Sequence, residues 1–158
     1  MKKKSKYKPK YVRVNALDYV LSGLKRVGSL PKEGVELKLK NHEAMDELIK
    51  GNAKTDHVDV LIAAANMAEA LTRIRDDLGM DWLPEIRTAQ AAIKTMAGRG
   101  LARKRFLFTG PEMTAMKQFM SIHDAQIDEC TVQELEVAIR IVQKAIQLGK
   151  AEKIVEIA

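Results

Sequence analysis

Ten residues carry the clearest chemical signal in the sequence, and they fall in two acid-free runs. The first, Lys6-Tyr7-Lys8-Pro9-Lys10-Tyr11-Val12-Arg13, interleaves cations with two of the chain's seven aromatic residues. Phosphates pair with such cations and exposed bases stack on such rings. Lys6, Tyr7, Lys8, Lys10, Tyr11 and Arg13 therefore read as an arm that tracks a nucleic acid. The plainer reading is a solvated tail, and an acidic protein surface is a second partner of the right charge. In the second run Gly98-Arg99-Gly100 precedes Arg103-Lys104-Arg105. Glycines in a loop would free backbone N–H groups there, and Arg99, Arg103, Lys104 and Arg105 would hold phosphate, the arginines bidentately. No Gly-Lys-Ser/Thr follows at Walker spacing, and an ordinary basic loop between helices accounts for the same residues.

Catalytic and metal constellations are harder to build. His123, Asp124, Asp128 and Glu129 invite a metal or acid–base reading, because Asp124 and Asp128 stand one turn apart on a helical face. Their usual companions are missing. There is no Glu-x-x-His for a di-iron bundle and no His-Glu-x-x-His for a zinc hydrolase, and His123 continues a Met116, Met120 stripe as a core histidine would. Cys130 precedes a helix start that could activate its thiol, but no residue orients a Cys/His pair, so it reads as incidental. His42 and His57 stand alone in the sequence, and Met113, Met116 and Met120 at helical spacing read as core. The sequence thus names no catalytic residue, no metal site and no cofactor, which leaves an enzyme without a mechanism.

The elements that must position the two basic runs are helices. Of the 158 residues, 46% are apolar and 30% charged, which suits one globular domain with a core of its own. Leu17, Val20, Leu21, Leu24 and Val27 predict a helix over about 16–27 after the cap Asn15. Gly28 to Gly34, with Pro31 inside, ends it, and a second helix is predicted over about 36–50. Thr55 reads as the cap of the longest helix, which runs to Leu78 with its small Ala63, Ala64 and Ala65 in the middle. A helix so apolar belongs at the centre of a bundle. A fourth is predicted from Asp81 or Trp82, with Pro84 in its first turn, to Gly98. Gly98 to Gly110 then forms a long connector, with Phe106-Leu107-Phe108 as a short extended segment. Two capping boxes, Thr109 with Glu112 and Thr131 with Glu134, start the last two helices. No helix with a glycine turn leads closely into Thr131, so a helix-turn-helix is not supported. The predicted fold is all-α, a single-domain bundle of five to six helices over residues 15–158 with a basic arm at 1–14.

Charge sorts along this frame. Residues 1–13 hold seven cations and no acid, and Ile86 to Pro111 holds six more, so the formal net charge of +6 resides in these two windows and the remainder is acidic. Such asymmetry predicts polyanionic partners. One cysteine forms no internal disulfide, no apolar run spans a bilayer, and Asn15, Asp18 and Lys25 interrupt the only stretch resembling a signal-peptide core. A cytoplasmic protein with no membrane partner is expected.

Tyr7-Lys8-Pro9-Lys10 with Val12-Arg13, Asp18-Tyr19-Val20-Leu21, Lys40-Asn41-His42-Glu43-Ala44-Met45 and His123-Asp124-Ala125-Gln126 resemble a family of small uncharacterised proteins of phages and mobile elements of proteobacteria. The resemblance spans most of the chain and implies action inside a bacterial host cell. It supplies no catalytic residue. Taken with the charges, the sequence suggests a non-enzymatic phage-type accessory protein that binds nucleic acid, or a nucleic-acid-bound host complex, through the arm and the basic loop. The alternative is a phage inhibitor of a bacterial defence system, docking on a host protein or sequestering a nucleotide messenger, and a homo-oligomer fits either reading.

Overall fold

The computed structural model describes Leu24, Arg26, Val27 and residues 31–147. The predicted arm over 1–14, nearly all of the predicted helix over 16–27 and the chain beyond Gln147 lie outside the described residues. Within them are five α-helices: α1 Pro31–Lys50, α2 Thr55–Ile74, α3 Leu83–Arg103, α4 Gly110–Glu129 and α5 Val132–Gln147. Among the described residues no strand forms, and Phe106-Leu107-Phe108 pairs with nothing; the one β-type contact is an isolated bridge between Arg26 and Thr131. The fold is the expected all-α bundle.

Helices of about 30 Å joined by four, eight and six residues must run antiparallel to their neighbours. α1 to α4 do so, and α1 also packs on α4, which closes a four-helix ring. α5 lies outside the ring on α2, so α2 touches every other helix. Its small residues permit this: Ala64, Ala65, Ala68 and Ala70 are all buried. The main core joins Met45 and Leu48 of α1, Val58 and Leu61 of α2, Ile86, Ile93 and Met96 of α3, and Met116, Phe119 and Met120 of α4. A second cluster under α5 gathers Val27, Leu71, Leu78, Ile127, Cys130 and Ala138.

Several boundaries differ from the sequence reading, each for a local reason. α1 begins at Pro31 rather than near 36, because proline's fixed φ and missing N–H suit a first helical position. It stops at Gly51, whose φ of +75° allows Gly51 N–H to reach Leu48 O and Asn52 N–H to reach Glu47 O, a Schellman ending. Thr55 is the first residue of α2 and not its cap. The cap is Lys54, whose N–H donates to Nδ1 of His57 at 2.9 Å. α2 ends at Ile74, since Arg75 turns extended and two short 3₁₀ turns, Asp76–Leu78 and Met80–Trp82, tuck Leu78 into the second cluster. Among the described residues the longest helix is therefore α3, at 21 residues, and it carries Pro84 in its first turn as expected.

Polar groups fasten the ring. Gln126, buried on α4, donates from Nε2 to Ala68 O at 3.0 Å and to Leu78 O at 2.6 Å, tying α2 and the following turn to α4. With its amide hydrogens spent there, its Oε1 accepts from Nδ1 of His123 at 3.0 Å, which fixes the neutral Nδ1–H tautomer. His123 also stacks on Phe119 and is a satisfied core residue. On the surface, Glu69 of α2 accepts from Arg73, Arg87 and Gln90. No helix of the described residues is long and apolar enough to cross a membrane.

Candidate phosphate-binding surface

The predicted connector from Gly98 is mostly helix. α3 continues through Gly98 and Gly100 to Arg103, which leaves only Lys104 to Thr109 between helices. Two interior glycines cost about 1 kcal/mol each in helix propensity, but Gly100 is there for space. A Cβ at Gly100 would lie 2.2 Å from Cδ1 of Phe106, so the ring packs directly on the helix backbone. The glycine-loop cradle for phosphate is thus replaced by a helix whose amides bond along its own axis.

Arg99 leaves the candidate set for a structural task. Its guanidinium forms a bidentate pair with Glu112, at 2.6 and 3.1 Å, and donates to Leu107 O at 2.9 Å. Glu112 simultaneously completes the capping box of α4, accepting from Thr109 N–H at 2.8 Å while Thr109 Oγ1 accepts from Glu112 N–H. The hydrogen bonds from Arg99 hold the Glu112 carboxyl below its ordinary range, against the opposing effect of burial. One ion pair therefore sews the end of α3, the connector and the start of α4 together.

Arg103, Lys104 and Arg105 remain on the outside. All three are exposed and none forms an ion pair among the described residues. Lys104 adopts the left-handed conformation at φ +55°, and Arg105 N–H closes on Gly100 O. The chain thereby reverses at Lys104 and spreads three successive cations around the end of α3. Arg105 turns toward the neighbouring helix pair: a Cβ on Gly51 would meet its Nη2 at 2.7 Å. The connector and the α1–α2 turn accordingly share one end of the bundle, which brings exposed Lys50 and Lys54 to the same surface. Those two lysines escaped the sequence reading. Only the antiparallel topology and the Gly51 contact join residues so far apart in the chain. Several other cations are paired, Lys50 of this same end with Glu47 at 3.4 Å. Arg26 pairs with Glu129, Lys38 with Asp128, Arg73 and Arg87 with Glu69, and Arg75 with Asp77 and Glu134.

Lys6, Tyr7, Lys8, Lys10, Tyr11 and Arg13 lie outside the described residues. Among the described residues no three His, Cys, Asp or Glu side chains gather as a metal site. Asp124 and Asp128 face α1 instead, Asp124 accepting from Nε2 of His42 at 2.7 Å, so His42 is not isolated. His57 likewise has a partner in its cap bond. Cys130 is no activated thiol: burial, with Glu134 nearby, pushes it up to about 11. The α4–α5 link is short, but it consists of Cys130 and Thr131 with no glycine. Thr131 and Glu134 form the second capping box there as expected.

No protein-family model, no curated protein and no solved structure matches this chain. The basic end presents the exposed guanidinium and ammonium groups of Arg103, Lys104 and Arg105 on a rigid mount, groups whose charge and donors suit anionic oxygens.

Proposed function

We propose that the chain is a non-enzymatic, phage-type accessory protein that binds nucleic acid, or a complex that carries it, through its N-terminal cations and the basic end of the bundle. One observation carries the proposal. Arg26, Arg73, Arg75, Arg87 and Arg99 each pair with a carboxylate, whereas Arg103, Lys104 and Arg105 project together without an ion pair among the described residues, from a mount that Arg99, Glu112 and Phe106 make rigid. A helix end held this firmly presents its cations at little ordering cost on binding.

Affinity of the full chain for a mixed-sequence nucleic acid tests the reading. At about 0.1 M salt each neutralised phosphate contributes roughly tenfold, from a log–log slope of about 0.9 per contact. The triple variant Arg103→Gln, Lys104→Gln, Arg105→Gln should bind at least tenfold more weakly. A charge-matched control, Lys117→Gln, Arg140→Gln, Lys144→Gln, removes three exposed cations elsewhere and should change binding less than threefold. Equal losses in the two variants would reduce the effect to net charge and defeat the proposal.

A further inference from the structure

Among the described residues, the basic end lacks the aromatic platforms that base stacking requires. The described rings nearest the three cations belong to Phe106, which is buried on Gly100, and Phe108, which is partly buried against the main core. Exposed apolar groups close to this end are aliphatic, Ile49 and Leu107. The exposed ring of Trp82 stands at the opposite end of α3, about 30 Å away along a 21-residue helix. Single-strand binders combine a cationic track with aromatic platforms on which bases stack, and the described surface provides only the track.

The surface is also shaped for an extended ligand. Two grooves among the described residues are not lined by these cations. One, about 620 Å³, runs between α1 and α5 past Leu37, Leu39, Val132 and Leu135, and another lies between α2 and α5. The cations instead crown the outside of a helix end, where the chain turns at Lys104 in the left-handed conformation and Arg105 continues the surface over the α1–α2 turn. A spread of point charges on an open surface suits a regular array of phosphates. Duplexes present that array at about one charge per 1.7 Å of axis, twice the density of one strand.

From this geometry we infer that the basic end contacts the phosphate backbone of a nucleic-acid duplex independently of base sequence. The inference rests on the proposed function and narrows its ligand. Contacts of this kind position a protein on a duplex and carry no sequence information. The outward-facing groups, two guanidiniums and an ammonium, meet phosphate oxygens without entering a groove.

Fluorescence anisotropy of the full chain with three labelled probes tests it: two 20-base-pair duplexes of unrelated sequence, and one of their single strands. The two duplexes should bind within threefold of each other and more tightly than the strand. The Arg103→Gln, Lys104→Gln, Arg105→Gln variant should lose about the same factor on both duplexes, tenfold or more, and a smaller factor on the strand. A tenfold or greater preference between the duplexes, or a larger loss on the strand than on the duplexes, would overturn the inference while leaving nucleic-acid binding intact. Absence of binding to all three probes at 50 mM salt would instead overturn the proposed function itself.

Discussion

Gly98 and Gly100 lie two residues apart in α3, yet alanine at the two positions should shift stability in opposite directions. Nothing lies within 4 Å of a Cβ at Gly98, so Gly98→Ala recovers helix propensity alone, about 0.8–1 kcal/mol. At Gly100 the same gain meets a clash. The added methyl would stand 2.2, 2.8 and 3.0 Å from three carbons of the Phe106 ring, where normal carbon contacts are about 3.5–4.0 Å. Phe106 is 7% exposed and packed in the main core, so it must move by more than an ångström or leave its site. Overpacking costs about 1–3 kcal/mol, and loss of a buried phenylalanine side chain costs about 1.5–3 kcal/mol. Net of the propensity gain, Gly100→Ala should destabilise by up to about 2 kcal/mol. For a chain of this size a kcal/mol corresponds to roughly 2–4 °C, so thermal unfolding should show the two variants moving apart by several degrees. In a Phe106→Ala background the clash disappears and Gly100→Ala should become stabilising, a sign change that a double-mutant cycle reads directly. Destabilisation by Gly98→Ala, or an equal response at both positions, would refute a helix that continues to Arg103.

Three further outcomes follow from the interior. Gln126→Leu removes both donors that satisfy Ala68 O and Leu78 O and leaves His123 Nδ1–H unpaired, so denaturant unfolding should register a loss of about 2–4 kcal/mol, while Gln126→Asn, too short to reach, should lose a similar amount. Burial lowers the His123 pKa despite its bond to Gln126, so the folded state binds its proton less readily than the unfolded chain. The corresponding stability is complete above the unfolded value of about 6.5 and is lost as pH falls below it, and the lowered Glu112 carboxyl adds a second loss below about 4.5. Unfolding free energy measured from pH 8 to pH 4 should decline in that order, and His123→Phe should remove the upper step. Cys130→Ala should leave binding unchanged and cost roughly 1 kcal/mol of stability as a small buried side chain is trimmed; loss of binding with the fold intact would return a role to the thiol.

What the sequence made legible was local. Thr109 with Glu112 and Thr131 with Glu134 set helix starts by hydrogen bonds spanning three residues, and both formed. The alanine-rich stretch of α2 likewise announced a central helix, because close packing on four neighbours demands small side chains on several faces. The errors arose where a distant contact decides. Glycines at 98 and 100 resemble a loop until Phe106 is seen to occupy the space that Gly100 leaves. Arg99 resembles a phosphate ligand until Glu112, thirteen residues on, is found in its grip. The misplaced cap at Thr55 was instead a local matter, because the ring of His57 takes Lys54 N–H three residues back and makes Lys54 the cap. Lys50 and Lys54 joined the basic end through the antiparallel arrangement of α1 to α4, which no local pattern reveals.

The most direct test of the central claim is the salt dependence of duplex binding by the full chain, measured from 50 to 300 mM monovalent salt beside the Arg103→Gln, Lys104→Gln, Arg105→Gln variant and its charge-matched control. Each phosphate contact contributes a log–log slope of about −0.9 on a B-form duplex. If the basic end of the bundle grips the backbone, the variant's slope should be shallower than that of the unaltered chain by about 2 to 3, while the control retains the original slope. Identical slopes for the unaltered chain and the variant would show that Arg103, Lys104 and Arg105 touch no phosphate, and would contradict the account.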